Sequence, residues 1–350
     1  MRKLLPYIII FLCLSKVTAL STDQSATFVL GQISMTVRTV TRLPTTTSLL
    51  FPVGMEFDDT NRLIVADRGN NRVLRYDTIL ATASVATLVL GQPNFTSHTV
   101  GVSTAQLAAP SDVAIDSSGN VWVADTGNNR VVRFSTPCLD GADIDLVLGQ
   151  STFLTNDSST EATGMHWPVA IDFDQENSLW VVDQRNNRML KFETPISSGM
   201  EATIVVGGGL YIPSDFEVVS SSLIWVTDKR LGVVKFVNPI SSTSLPSLTL
   251  WTPGIYGSTK TFSNAYGVAI DTYATPNLWV ADTDHRRVLK FDDPVAAGAN
   301  PSIVIGQADD VTFDAGLSDS RLNKPFRIRF STTNFLFVSD TFNNRILVFE

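Results

Sequence analysis

Three sets of side chains in this chain have types that could do chemistry, and their spacing separates them. The first is a series of six acids, Asp67, Asp125, Asp183, Asp228, Asp282 and Asp340, each closing an apolar run such as Trp122-Val123-Ala124-Asp125. Five are followed five residues later by an arginine: Arg72, Arg130, Arg188, Arg287 and Arg345. A carboxylate at that spacing can accept N–H groups of its own turn and a guanidinium hydrogen bond. Present in nearly every unit, the pair reads as a structural turn lock and not as a series of metal sites.

The second set lies on Pro-led segments upstream of each acid. Aligned on an Ala-Ile-Asp column, one position reads Gly54, Asp112, Pro168, Asp215, Gly267, Arg327. The position two residues on reads Glu56, Ala114, Ala170, Glu217, Ala269, Arg329. Glu56 with Arg329 or Arg327 is expected to form a seam ion pair between the first and last units. Otherwise Asp112, Asp215, Glu217 and Arg329 line a polar channel mouth. No cofactor is expected; the alternative is an axial calcium on Asp112 and Asp215.

The third set is the histidines, of which there are three: His98, His166 and His285. A zinc site needs its ligands within about 2.0–2.2 Å of one ion. His98 falls in a long loop and His285 in an outer turn, and only His166 sits near a strand opening, where it stands in a strand-opening Pro position. The chain has no Gly-x-Ser-x-Gly elbow, Cys-x-x-Cys pair or phosphate-cradling loop. Among function classes, this composition of motifs favours binding over catalysis.

These residues need a scaffold, and the repeat specifies one. The six acids are spaced by 58, 58, 45, 54 and 58 residues, enough for four strands of about five to six residues with their loops. Each unit holds four short segments rich in Val, Ile, Trp and Phe and bounded by Gly, Pro, Asn and Asp. The expected fold is therefore all-β, a six-bladed β-propeller of four-stranded antiparallel blades. Repeat cores fall at about 52–76, 110–134, 168–192, 213–236, 266–291 and 325–349 of a single domain, 20–350. The last unit runs out of chain after three strands, while Phe28-Val29-Leu30-Gly31-Gln32 is a spare copy of the inter-repeat Val-Leu-Gly-Gln signature. Residues 27–31 are expected to pair with 345–349 and close the ring.

Residues 1–19 carry a positive head, an apolar run too short to span a bilayer comfortably and the small-residue ending Val17-Thr18-Ala19. This reads as a secretory signal peptide, with a secreted or periplasmic product and no membrane association after cleavage. Without that segment 23 basic residues face 34 acidic ones, a net charge of −11. An acidic body with no Lys/Arg run argues against nucleic-acid binding. Cys138 is then the lone cysteine, so no internal disulfide is expected, and a monomer held by packing is.

The segments Leu-Trp-Val-Ala-Asp-Thr-Gly-Asn-Asn-Arg-Val, Pro-x-x-Val-Ala-Ile-Asp and Val-Leu-Gly-Gln resemble the NHL-repeat family over roughly residues 28–350. The resemblance implies a six-bladed propeller. It does not imply one activity, since the family includes RNA-binding, protein-binding, sensor and lyase members. Similarity to peptidyl-hydroxyglycine lyase propellers suggests the enzyme alternative, a metal-dependent lyase or hydrolase with an axial site. Unit four departs most, because Asp228-Lys229-Arg230-Leu231-Gly232 is shortened and lacks both the Asn pair and the final Arg. Its entry loop, Gly208 to Pro213, is also short, so a cleft is expected on the face that carries the Asp turns, lined by Tyr211, Lys229, Arg230, Trp251, Tyr256, Tyr266 and His285. A protein or glycan partner is expected there, and Asn94 and Asn156 head glycan-acceptor sequons in equivalent loops of that face.

Overall fold

The computed structural model describes residues 20–350 apart from 41–42, 80, 221–222, 238–239, 252–260, 272–275, 294 and 310. The leader and Tyr256 lie outside the described residues. Six antiparallel sheets of four strands each are built in chain order, with the strand nearest the axis first. Blade 1 runs Pro52–Phe57, Leu63–Asp67, Arg72–Tyr76 and Leu88–Leu90, and blades 2 to 5 repeat the pattern. Blade 6 takes its outermost strand from the other end of the chain, where Phe28–Leu30 pairs antiparallel with Arg345–Phe349, Phe28 opposite Val348. The ring closes as the spare inter-repeat signature predicts, with a register from Phe28 to Leu30.

The core lies between sheets, not within them. Each strand alternates, so its two sets of side chains face the two neighbouring blades. The cluster of Leu63, Val65 and Leu74 from blade 1 with Phe337, Ile346 and Val348 from blade 6 is one of six such layers. A lone blade would leave both faces wet, which is why the repeats must stack.

Strand direction assigns the two faces of the disc. Pro52 is opposite Asp67, and Val73 is opposite Leu90. The Asp turns and the loops that lead from one blade to the next therefore share one face, here called the top, while Asp58 to Arg62 and the equivalent hairpins form the bottom. Five of the six top turns carry the Asp-Arg pair, and its geometry is constant. Asp67 Oδ1 accepts the N–H of Leu50 at 2.7 Å, and Oδ2 accepts Arg72 Nε at 2.7 Å and Asn70 Nδ2 at 2.8 Å. Arg72 then donates to the carbonyls of Ser48 and Phe95, fastening the loops before and after its blade. The pairs Asp125–Arg130, Asp183–Arg188, Asp282–Arg287 and Asp340–Arg345 repeat the Nε bond at 2.6–2.9 Å. In blade 4, Asp228 accepts the N–H groups of Tyr211, Arg230 and Leu231 instead, so its own short turn replaces the missing arginine.

The glutamine of the Val-Leu-Gly-Gln signature is a second brace. Gln92 Nε2 donates to the carbonyls of Asn71 and Thr99, and its Oε1 accepts the N–H of Thr99. Gln32, Gln150 and Gln307 repeat the bond to a carbonyl seven residues on. The preceding glycine is required because Gly91 has φ +76° and a Cβ there would meet Leu107.

Candidate functional site

The inner strands bring the second set of residues together in two layers across the axis. In the middle layer, Arg327 from blade 6 donates to Asp112 of blade 2 at 2.7 Å and contacts Asp215 of blade 4 on its other side. All three are buried, and the remaining positions of the layer, Gly54, Ala170 and Gly267, have no side chain larger than a methyl to obstruct them. Burial raises the Asp112 carboxyl against the pull of Arg327. The calcium alternative requires Asp112 and Asp215 to be free for an ion, but a guanidinium already stands between them.

One layer lower, toward the bottom face, Arg329 donates through Nε to Glu56 at 3.2 Å and through Nη1 to Glu217 at 3.4 Å. Glu56 thus pairs with Arg329, and Arg327 goes elsewhere. A fourth member of this layer is absent from the sequence alignment. Blade 3 places Asp172, opposite Trp180, where blade 1 has Glu56 opposite Ile64 and blade 2 has Ala114 opposite Trp122. The Ala-Ile-Asp alignment is therefore two residues out of register in blade 3. Ala170 belongs to the middle layer, and Pro168 lies above it, opposite Asp183. A tryptophan reveals the true register, since Trp122 Nε1 donates to Asp116 and Trp180 Nε1 donates to Asp174, each six residues upstream.

Glu56, Asp172, Glu217 and Arg329 form the inner end of a cavity of about 430 Å³ that opens on the bottom face. Burial raises the Glu56 carboxyl against the pull of Arg329. Burial raises Asp172 well above its ordinary range, Arg329 opposes this, and the charges of Glu56 and Glu217 add to it. Burial likewise pushes Glu217 up to about 7, against Arg329 and with help from Glu56. Three carboxylates share one guanidinium, so the layer keeps a proton to higher pH than separate carboxylates would.

The top end of the axis is chemically different. Its mouth is an apolar pocket of about 410 Å³ lined by Phe51, Val53, Phe326 and Phe342, with Arg68 at its edge. Phe51 meets Phe342 edge-on at 5.7 Å, Tyr266 stacks on Phe326 at 4.4 Å, and Lys324 Nζ lies over the Phe342 ring at 5.1 Å. Beside it Arg185 stacks on Trp167 at 3.8 Å.

The expected cleft over blade 4 is only partly assembled. Tyr211 is 46% exposed with Arg230 beside its ring at 5.7 Å, and Lys229 is exposed. Trp251 is buried against Phe262 and Phe291 and donates Nε1 to Ala299, so it is core and not surface. His285 is fully buried as well, where four other blades have asparagine. Its Nδ1 meets Asp282 Oδ2 at 2.8 Å, and its ring stacks on Phe313. Tyr266 belongs to the axial mouth. His166 stands two residues before Pro168, its N–H on Asp183, and is not a replaced strand-opening proline. His98 is exposed in its loop. Among the described residues no three His, Cys, Asp or Glu side chains are grouped to hold a metal. Asn94 and Asn156 are exposed on the top face.

The NHL-repeat family model matches residues 49–76 and 107–134, the cores of blades 1 and 2. Those two blades are NHL repeats within a six-bladed propeller. The structure is similar to a protein of unknown function from Bacteroides thetaiotaomicron, at 14% identity and TM-score 0.57, over 87% of this chain and 70% of that one. It is also similar to virginiamycin B lyase from Staphylococcus aureus, at 13% identity and TM-score 0.50, over 88% and 98%. Likeness at these identities concerns the fold. No curated protein matches the sequence.

Proposed function

We propose that this NHL propeller is a binding module that engages an acidic, aromatic-bearing segment of a protein partner with its top face. One observation carries the reading. In every blade the residue just before the inner strand has a left-handed backbone: Phe51, Ala109, Trp167, Ile212, Asn264 and Lys324, at φ +47° to +61°. In four blades its N–H is held by an asparagine Oδ1 of the preceding blade's turn, at 2.8–3.0 Å. The backbone hook is constant while the side chain it presents changes from blade to blade. Variable side chains on a rigid ring suit recognition.

The charge of the ring sets the partner. Arg68, Arg185, Lys229, Arg230 and Lys324 all belong to this face, Lys324 paired with Asp284 at 3.3 Å, in a protein that is acidic overall. Exposed Val40, Leu43, Val100 and Leu154 stand on the surrounding top loops and extend the apolar area. A secreted protein, as the leader suggests, meets such partners outside the cell.

Selection of peptides from a random display library tests this. The expected binders are acidic, carry Phe, Tyr or Trp, and lose at least ten-fold in affinity on Phe342→Ala or Lys324→Glu, while binding Asp172→Asn as they bind wild type. Binders whose footprint lies on the blade edges or the bottom face overturn the reading.

A further inference from the structure

We propose that the bottom axial cavity is a second, separate binding site, and that it takes a neutral, hydroxyl-rich ring such as one saccharide unit. The cavity falls within the size range of small-ligand pockets. It is blind, because the Arg327 layer closes the axis above it. Blades 2 and 5 contribute only Ala114 and Ala269 to its inner layer, which leaves room between the charged side chains of the other four.

Two groups in it have bonding capacity to spare. Arg329 is 7% exposed, yet its Nη2 donates to no described residue, whereas Nε and Nη1 are engaged. Asp172 accepts one hydrogen bond among the described residues, from the N–H of Phe173 to Oδ1, and its Oδ2 accepts none. A donor and an acceptor on one cavity, Asp172 only half-buried, suit a ligand group that both accepts and donates. A hydroxyl does both, and a chain of hydroxyls can bridge Arg329 to Asp172 and on to Glu217. The raised Asp172 and Glu217 carboxyls add donors of their own when protonated. The walls suit the rest of such a ring: Phe57, Phe173 and Phe330 with Ile115 and Ile270 offer apolar contact to C–H faces, and Asn177 and Ser117 stand further out.

Other ligand classes fit less well. An anion would satisfy Nη2 but face Glu56, Asp172 and Glu217. An ammonium would satisfy Asp172 and be drawn by Asp58, Asp59, Asp116 and Asp174 around the opening, but it would leave Nη2 without an acceptor and meet the Arg329 charge at close range. A neutral polyol avoids both costs.

The test uses the whole protein and a panel of glucose, galactose, mannose, xylose and N-acetylglucosamine, with butylammonium chloride and sodium acetate as charged controls. Binding is read by saturation-transfer NMR and titration calorimetry. At least one sugar should bind with Kd near about 1 mM. Asp172→Leu, which removes the acceptor, and Asp172→Ala, which removes it without adding volume, should each weaken it about ten-fold or more, and Asp172→Asn by less. Phe342→Ala at the opposite end should change nothing, so this site and the top-face reading stand or fall separately. Unfolding curves of Asp172→Leu must match or exceed wild type, since the substitution removes repulsion from Glu56 and Glu217. Binding by butylammonium alone, no binding by any sugar, or a sugar affinity unmoved by Asp172→Leu overturns the proposal.

Discussion

The two ends of the axis are built from the same six strands but follow opposite rules. At the bottom, the hairpins place asparagine at left-handed positions: Asn61, Asn177 and Asn334 at φ +62°, +59° and +66°. Asparagine tolerates that conformation, so local preference and fold agree. At the top, the equivalent demand is met by asparagine in blade 5, Asn264, but falls on Ala109 and on Phe51, Trp167, Ile212 and Lys324, which do not tolerate it as readily. Violations of local preference concentrate where a structure has something else to do, and here they ring the apolar mouth. The bottom end departs in another way, through charge: its backbone is relaxed, but three carboxylates crowd one arginine. One end stores conformational strain and the other electrostatic strain, and the Arg327 layer keeps them apart.

Removing that partition should have the largest effect. Arg327→Met leaves Asp112 and Asp215 fully buried with no cation between them, a loss of about 3–5 kcal/mol in urea unfolding. Arg329→Met should cost less, about 1–2 kcal/mol, because Glu56 and Glu217 reach solvent and can take up protons. Equal costs would show that the two layers are not distinct in burial or in role.

The crowding at the bottom end should also be visible in the pH dependence of stability. Glu217 is raised from an ordinary 4.5 to about 7 in the folded protein. Between those values the folded state keeps a proton that the unfolded state has lost. Stability from this group is complete below pH 4.5 and is lost as pH rises through 7, by roughly 1–3 kcal/mol. Glu217→Gln should flatten the decline between pH 5 and pH 8. A wild-type curve that rises with pH over this window, or a Gln variant with an unchanged slope, contradicts the assignment.

How much of this could be read in the sequence differs between the two ends for a physical reason. Repeats announce what is common to every blade, so the Asp-Arg turns, the strand count and the closure by Phe28–Leu30 were all legible. Residues that vary between blades are legible only if the register is right. Glu56, Glu217 and Arg329 stood out as charges in an otherwise apolar column, but Asp172 was hidden because Ala170-Ile171-Asp172 mimics Ala114-Ile115-Asp116 two residues out of step. Anchoring on Trp122 and Trp180 would have exposed it. The left-handed hooks were illegible, because Phe, Trp and Ile carry no turn signal and the asparagines that hold them belong to the preceding blade. His285 misled for a related reason: it fills an asparagine's place in the turn lock, and a histidine in a turn invites a functional reading.

The smallest expected effect tests the strain itself. Ile212 is a β-branched residue at φ +55°, where an L side chain crowds its own backbone. Asn187 Oδ1 holds its N–H at 2.8 Å, and that bond survives any substitution at 212. Ile212→Asn should therefore raise stability by about 1 kcal/mol, whereas Asn177→Val at the bottom should lower it by a similar amount and also lose the bond to the Ser117 N–H. Thermal unfolding of the two variants beside wild type reads both. Opposite signs support the contrast between the ends. If both substitutions destabilise, the top ring is not strained, and its unusual residues are held by packing alone.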